Sequence, residues 1–251
     1  IPEHIMAKDI ILKIISDIGT DGANYKAMEF GGNAVSKMSM EERLTLTNMT
    51  TEAGAKNGII EPDSITDEYI RQRTSEPYKP IVGDDDRHYV DEYTYEIDKL
   101  EPIVAKPYSP QNAAVARELQ GVEINKAYIG SCTGAKLQDL RSAAQILRGK
   151  KVKIRTEVLP AAQSIYMKAM KEGLIDIFMQ AGAVVGPPTC GACCGAHMGV
   201  LGKDEVCVST TNRNFPGRMG HVESQTYLAS PLVVAASAIK GKITDPRDVS
   251  K

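Results

Sequence analysis

Two thiols two residues apart can close on one metal centre, because the turn between them brings both sulfurs to one side. This chain has such a pair in Cys190-Gly-Ala-Cys193, inside Gly186-Pro-Pro-Thr-Cys-Gly-Ala-Cys-Cys-Gly195. Gly191 and Gly195 leave room there for the backbone to approach something bulky. Cys132, in Ile129-Gly-Ser-Cys-Thr-Gly134, is the best candidate to complete the set, since it too follows an apolar run that ends in a glycine-containing turn. Soft thiolate ligands favour zinc, copper(I) or an iron–sulfur cluster. His197, four residues after Cys193, would make a Cys3His zinc site. Three cysteines alone would instead hold a cluster with one open iron. Spacing separates these poorly, and inert buried cysteines remain a third reading. Cys194 adjoins Cys193 too closely to share its centre, and Cys207 sits in an expected strand as a small core residue.

A second constellation is Ser209-Thr-Thr-Asn-Arg-Asn-Phe-Pro-Gly-Arg-Met-Gly220. Its guanidinium forks, Arg213 and Arg218, can each grip both oxygens of a carboxylate. Beside thiolates, that suits a di- or tricarboxylate; without them, it describes a surface loop with scattered ion pairs. Asn48 and Glu52 lie four apart and share one face of an expected helix. On spacing alone, a solvated polar edge is the plainer reading of that pair. Asp84-Asp85-Asp86 is expected to be an exposed acidic turn, since no glycine-spaced calcium loop surrounds it.

The elements that must position these groups follow from the pattern. An apolar periodic helix is expected from Asp9 to Ile18, ended by Gly19-Thr-Asp-Gly22, and a strand over Tyr25–Phe30. Ser39-Met-Glu-Glu42 reads as a capping box opening a helix through Ala53. Residues 61–110, with Pro62, Pro77, Pro80, Pro102, Pro107 and Pro110, are the least regular, and a domain boundary is expected near their end, giving units 1–104 and 105–251. Beyond Val122 short apolar runs alternate with helical stretches. Strands are expected at 127–130, 152–159, 175–179, 183–185 and 206–210, with helices over Leu137–Leu147, from Pro160 to Glu172 and over Pro231–Ile239. Such alternation argues for a parallel sheet covered on both faces. Ligands of such sheets bind beyond the carboxyl ends of the strands, where Cys132 and Cys190 are both expected.

Composition bounds the function. The formal net charge of -2 and 5% aromatic content give neither a basic face nor stacking platforms for nucleic acid. Apolar runs such as Leu232–Ile239 are too short to cross a bilayer. An odd, clustered set of cysteines fits a reducing, cytoplasmic setting better than a disulfide framework. The chain opens at Ile1-Pro-Glu-His4 and almost at once enters periodic apolar sequence, so it reads as a piece of something larger.

Taken together, Tyr25-Lys-Ala-Met-Glu-Phe30, Asn48-Met-Thr-Thr-Glu-Ala-Gly-Ala55, Gly130-Ser-Cys-Thr133, Gly186-Pro-Pro-Thr-Cys-Gly-Ala-Cys193, Asn212-Arg-Asn-Phe-Pro-Gly-Arg218 and Ser230-Pro231 resemble the large subunit of the aconitase superfamily. The nearest branch is 3-isopropylmalate dehydratase with its homoaconitase-like relatives. The pieces span nearly the whole chain in the family's order. The resemblance implies three-layer α/β/α domains with mostly parallel sheets. It implies a [4Fe-4S] cluster on Cys132, Cys190 and Cys193 with one open iron, flanked by Asn48 and Asn212. Glu52 would be a catalytic carboxylate, and Arg213 and Arg218 would bind substrate. The implied enzyme is a hydro-lyase that moves water between neighbouring carbons of a hydroxy-carboxylate, 2-isopropylmalate in leucine biosynthesis being favoured over the homoaconitate and citramalate branches. A small subunit carrying a catalytic serine is the implied partner. The family's amino-terminal domain has no counterpart in these residues, so the chain is not expected to turn over alone. Two departures stand out: Gly134 replaces the usual Asn, and Cys194 adds an oxidisable thiol. The competing class is a non-catalytic zinc-stabilised binding domain.

Overall fold

The computed structural model describes residues 1–249. Helix α1 (Ala7–Ile18) starts where Asp9, at its third position, accepts from the Met6 backbone N–H at 2.9 Å, and it ends at Gly19 with φ 84°. Strand β1 (Ala27–Glu29) and the short helix α2 (Asn33–Ser36) follow. Helix α3 (Met40–Met49) opens on the expected capping box: Ser39 Oγ accepts from Glu42 N–H, and Glu42 Oε2 accepts from Ser39 N–H at 2.9 Å. It does not run on to Ala53 as an α-helix, because Thr50–Ala53 tightens into a 3-10 turn. Strand β2 (Asn57–Ile59) pairs in parallel with β1. Within the proline-rich stretch an unforeseen helix α4 (Ser64–Arg71) forms, because Asp63 Oδ1 accepts from the Ile65 and Thr66 N–H groups at its first turn.

The main sheet comprises β3 (Ile103–Ala105), β4 (Ala113–Val115), β5 (Lys126–Ile129), β6 (Arg155–Val158), β7 (Val184–Val185), β8 (Val206–Ser209) and β9 (Gln225–Ala229), in the order β4-β3-β9-β8-β5-β6-β7. From β9 to β7 every pairing is parallel; β3 is antiparallel to both of its neighbours. The connecting helices are α5 (Leu137–Leu147), α6 (Gln163–Lys171), α7 (Leu174–Ala181) and α8 (Pro231–Lys240). This is the α/β architecture with a mostly parallel sheet that the sequence leads one to expect.

Two local expectations are corrected, and one strand is added to them. Residues 175–179 are helix, not strand: Leu174, Ile175, Phe178 and Ala181 are buried at helical spacing while Met179 faces outward. Glycines with φ 70° and 94° bracket that helix, at positions 173 and 182. Pro160 lies outside α6, whose cap is Ala162. Strand β9 was not foreseen, although its residues are almost all buried.

Period-two alternation in the strands divides the core. Val104, Ala127, Ile129, Val208, Tyr227 and Ala229 point to the face covered by α5, α6, α7 and α8. Ile103, Ala105 and Leu228 point to the other face, where α1 and α3 cover one end of the sheet. Further along that second face Tyr128, Leu159 and Cys207 lie under Ala192, Cys193, Leu201 and Met219. The Cys190 loop therefore serves as part of a covering layer, and Cys207 is the core residue it was expected to be. The composition-based boundary at 104/105 falls inside β3. No helix among the described residues is long and apolar enough to cross a membrane.

Asp9 ties α1 to the sheet, since its Oδ1 also accepts from Ile103 N–H at 2.9 Å. Burial pushes its carboxyl from 3.8 up to about 7, against the pull of these backbone donors. The folded state thus retains a proton that the unfolded chain releases above about pH 4, so the associated stability is lost as pH rises towards 7. Asp9→Asn, which cannot ionise, should lack this component. In urea unfolding between pH 4 and 7, wild type should lose on the order of 2–4 kcal/mol relative to the variant. A pH-independent difference would refute that account.

Candidate functional site

Strands β5, β8 and β7 deliver their carboxyl ends to one edge of the sheet, and the chemistry gathers there. Cys132 follows β5, Asn212 and Arg213 follow β8, and Cys190 follows β7 at the head of a 3-10 turn, Gly191–Cys194. Thr210 laces the first two exits together. Its hydroxyl accepts from Gly130 N–H and donates to Gly130 O, each at 2.8 Å, while its N–H donates to Tyr128 O at 3.0 Å. The Cys132 turn needs such support, because Ser131 adopts φ 77°, an unfavourable conformation for a side-chain-bearing residue. Gly134 belongs to the same packing: a Cβ built there would lie 2.2 Å from Thr210 Cβ. Glycine at 134 is thus imposed by Thr210.

The Cys190 loop rests on buried polar groups. Tyr128, fully buried, donates its hydroxyl to Cys190 O at 2.8 Å. Burial pushes that phenol well above its ordinary range, which keeps it a donor. Gly191 has φ 50°, and a Cβ there would meet Leu159 Cδ2 at 2.6 Å, so the turn can hug the sheet only as glycine. Beneath it the buried Lys126 ammonium pairs with Glu157 Oε2 at 2.7 Å and donates to Gly199 O at the far end of the loop.

Of the eight residues singled out by sequence, seven contact one another through their side chains in two groups, Asn48 with Cys132 and Cys193 with Asn212, Glu52, Arg213 and Arg218, while Cys190 stands apart at the rim. Asn48, at the end of α3, donates from Nδ2 to Cys132 Sγ at 3.5 Å. Cys193 Sγ donates to Asn212 Oδ1 at 3.9 Å, and Asn212 Nδ2 donates to Glu52 Oε1 at 3.0 Å. Arg213 Nε donates to the same carboxylate oxygen at 2.7 Å. Glu52 is buried, which replaces the solvated-edge reading for that residue, whereas Asn48 is exposed. Burial pushes the Cys193 thiol up, opposed by the nearby Ser131 hydroxyl and the Arg218 charge. Arg218 Nε is buried without a hydrogen-bond partner. Cys132 and Cys190 are exposed at the rim, as is Cys194.

A lone zinc needs its donors about 2.0–2.3 Å from one point. Among the described residues no group of three or more His, Cys, Asp or Glu side chains, the three thiols included, is arranged around one point to hold a metal ion. His197 Nε2 lies 3.0 Å from Thr189 Oγ1, a partner that already occupies it. The acidic run 84–86 is exposed, as expected. Sequence reasoning missed Tyr128, Thr210 and Lys126; the only available signal was their place in or just beyond strands that carry the motifs.

A family model described as "Aconitase family (aconitate hydratase)" matches residues 1–118 and 111–241. The chain is 52% identical to the 3-isopropylmalate dehydratase large subunit of Heliobacterium modesticaldum over 99% of this chain and 60% of that protein. It is 50% identical to the large subunit so named in Hydrogenobaculum sp., over 98% and 58%, and 51% identical to large subunit 1 of Pyrococcus furiosus, over 98% and 59%. The chain thus spans about three-fifths of the length of these curated relatives. Holo aconitase X of Thermococcus kodakaraensis aligns at TM-score 0.43 and 16% identity, over 86% of this chain and 49% of that one, a likeness too loose to support more.

The contact between Gly134 and Thr210 gives a direct test. Gly134→Ala should force Thr210 off both Gly130 contacts and lower stability by about 1–3 kcal/mol in urea unfolding. An unchanged midpoint would mean that the two strand exits are not interlocked there.

Proposed function

The chain belongs to the aconitase family, and from that premise we propose that it is the cluster-bearing part of a hydro-lyase large subunit acting on a hydroxy-dicarboxylate or tricarboxylate. What supports the proposal is that Cys132, Cys190, Asn212 and Arg213 all follow parallel strands at one sheet edge, where Asn48 meets Cys132 and Cys193 is linked through Asn212 to Glu52 and Arg213, with Arg218 beside it. The reading treats 1–104 and 105–251 as two aconitase-type α/β units. Asn48 and Glu52 come from the first, and the cysteines, Asn212 and both arginines from the second.

The donor set fits a [4Fe-4S] cluster better than a single ion. Thiols reach the site from two loops, amide groups of Asn48 and Asn212 lie against Cys132 and Cys193, and the buried Arg218 Nε–H lacks an acceptor. Sulfur-bridged clusters are tuned by donors to their sulfurs, a part open to Asn48 Nδ2 and Arg218 Nε, whereas Asn212 meets Cys193 through its oxygen. When bound, the cluster would supply a Lewis-acidic iron that polarises a substrate hydroxyl.

The protein's own groups divide the remaining work. Arg213 commits Nε to Glu52, while its terminal nitrogens have no partner among the described residues, leaving them to grip a substrate carboxylate. Arg218 offers a second positive group beside Cys193. Glu52 is oriented by two donors, so its carboxylate is held at a fixed place where it can exchange a proton with the departing or returning water. The base that takes the carbon-bound proton belongs, in this reading, to a serine on a separate small subunit, and the relatives' designation as large subunits supports such a partner. The relatives' names support 2-isopropylmalate as the substrate and leucine biosynthesis as the setting, which this reading takes to be cytoplasmic. The homoaconitase and citramalate alternatives would use the same site.

Anaerobic reconstitution should load the chain with iron and acid-labile sulfide in near-equal amounts and without stoichiometric zinc. Cys132→Ser should lose both. Stoichiometric zinc without sulfide would replace this reading with the zinc-stabilised domain. Given a small subunit and the rest of the large subunit, Glu52→Gln should retain the cluster but lower kcat by roughly 100-fold or more. Full turnover in that variant would remove Glu52 from catalysis.

A further inference from the structure

Lysine 8 lies on the first turn of α1, outside every motif named above, yet it ends directly behind the site. Its side chain is 1% exposed. The ammonium donates to Thr133 Oγ1 at 3.2 Å, Thr210 O at 2.9 Å and Thr211 O at 2.6 Å. Thr133 is the residue after Cys132, and Thr210 and Thr211 lead directly into Asn212 and Arg213. One side chain thus joins the two loops that carry the site.

The charge of that ammonium is unbalanced by any carboxylate in contact. Among the described residues no Asp or Glu forms an ion pair with Lys8. The carboxylate whose charge acts on it, Asp139, is already paired with Lys136 at 2.8 Å, and Lys136 adds like charge of its own. Burial and Lys136 push the Lys8 ammonium down to about 7, while Asp139, Cys193 and Cys132 pull it the other way. A buried cation without a counter-ion is strongly disfavoured. Three neutral acceptors satisfy its hydrogens but not its charge. The anions that could do so are those of the site itself: thiolates, and the sulfide-rich group they would hold.

We propose that Lys8 is the counter-charge and positioning residue of the three-thiol site, tying the Cys132 loop to the Asn212–Arg213 loop and supplying the buried positive charge that an anionic cluster requires. The inference rests on the cluster reading of the preceding subsection. It gives Lys8 a role a simple packing lysine would not have, because a neutral donor could tie the loops but could not balance the charge.

Lys8→Gln separates these functions, keeping a donor while removing the charge, and Lys8→Met removes both. Each full chain would be reconstituted anaerobically beside wild type, with iron and sulfide retention measured under chelator challenge. The midpoint potential of the cluster would be followed by electron paramagnetic resonance, and apo-protein folding by circular dichroism and urea unfolding. The expected result is a folded apo Lys8→Gln protein whose cluster is retained about 10- to 100-fold less well, with a midpoint shifted to more negative potential, since a lost positive charge disfavours the added electron. Retention and potential equal to wild type in Lys8→Gln would overturn the proposal, even if Lys8→Met lost its cluster. An unfolded apo Lys8→Gln protein would overturn it as well, by making Lys8 a requirement of the fold alone. Wild type that takes up no iron and sulfide would instead refute the cluster reading, and the proposal would fall with it.

Discussion

The site depends on β5 and β8 leaving the sheet side by side at the same edge. Parallel pairing of Ala127 with Val208 and of Tyr128 with Ser209 sets their register. Thr210 then locks the exits by exchanging both hydrogen bonds with Gly130. A one-residue slip would turn Tyr128 away from the Cys190 loop and Ile129 towards it, exchanging the polar support for an apolar one. Cys132 and the Asn212–Arg213 pair keep a fixed spacing because their strands do.

The second face of the sheet is covered in two different ways. Under α1 and α3 it is an ordinary apolar layer, built on Ile103, Ala105 and Leu228. Under the Cys190 loop it is thin, and Tyr128, Lys126 and Glu157 supply fixed polar contacts there. Loops over a sheet must satisfy their backbone groups without a ladder of their own. The Tyr128 hydroxyl and the Lys126 ammonium meet two of those needs, at Cys190 O and Gly199 O. The consequence is a loop rigid enough to hold Cys193 against the sheet while leaving Cys190 at the rim.

Buried positive charge recurs around this edge. Lys8, Lys126 and Lys136 are all nearly inaccessible, and each reaches a backbone carbonyl of a loop at the site. Lys126 and Lys136 have carboxylate partners, in Glu157 and Asp139. Lys8 does not, and its position behind both thiol-bearing and arginine-bearing loops gives the site a positive floor. Together with Arg213 and Arg218, this makes the edge suited to anions, although the chain as a whole carries a formal charge of -2.

The sequence by itself determined the parts list and most of the scaffold. The Ser39–Glu42 box, the helix over Leu137–Leu147 and the strand ends before Cys132 and Asn212 follow from local chemistry, because caps and periodicity are encoded over a few residues. It misread 175–179 because a short apolar run looks alike in a strand and in a buried helix, and the bracketing glycines at 173 and 182 were the discriminating signal. It missed β9, whose burial comes from neighbours distant in the chain. Tertiary structure alone decided that Glu52 is buried against Asn212 and Arg213, that glycine is imposed at 134 by Thr210, and that Lys8 lies behind Cys132. These facts depend on contacts between residues about 75 to more than 200 positions apart, and no local pattern of residue types records which distant groups the packed sheet will bring together.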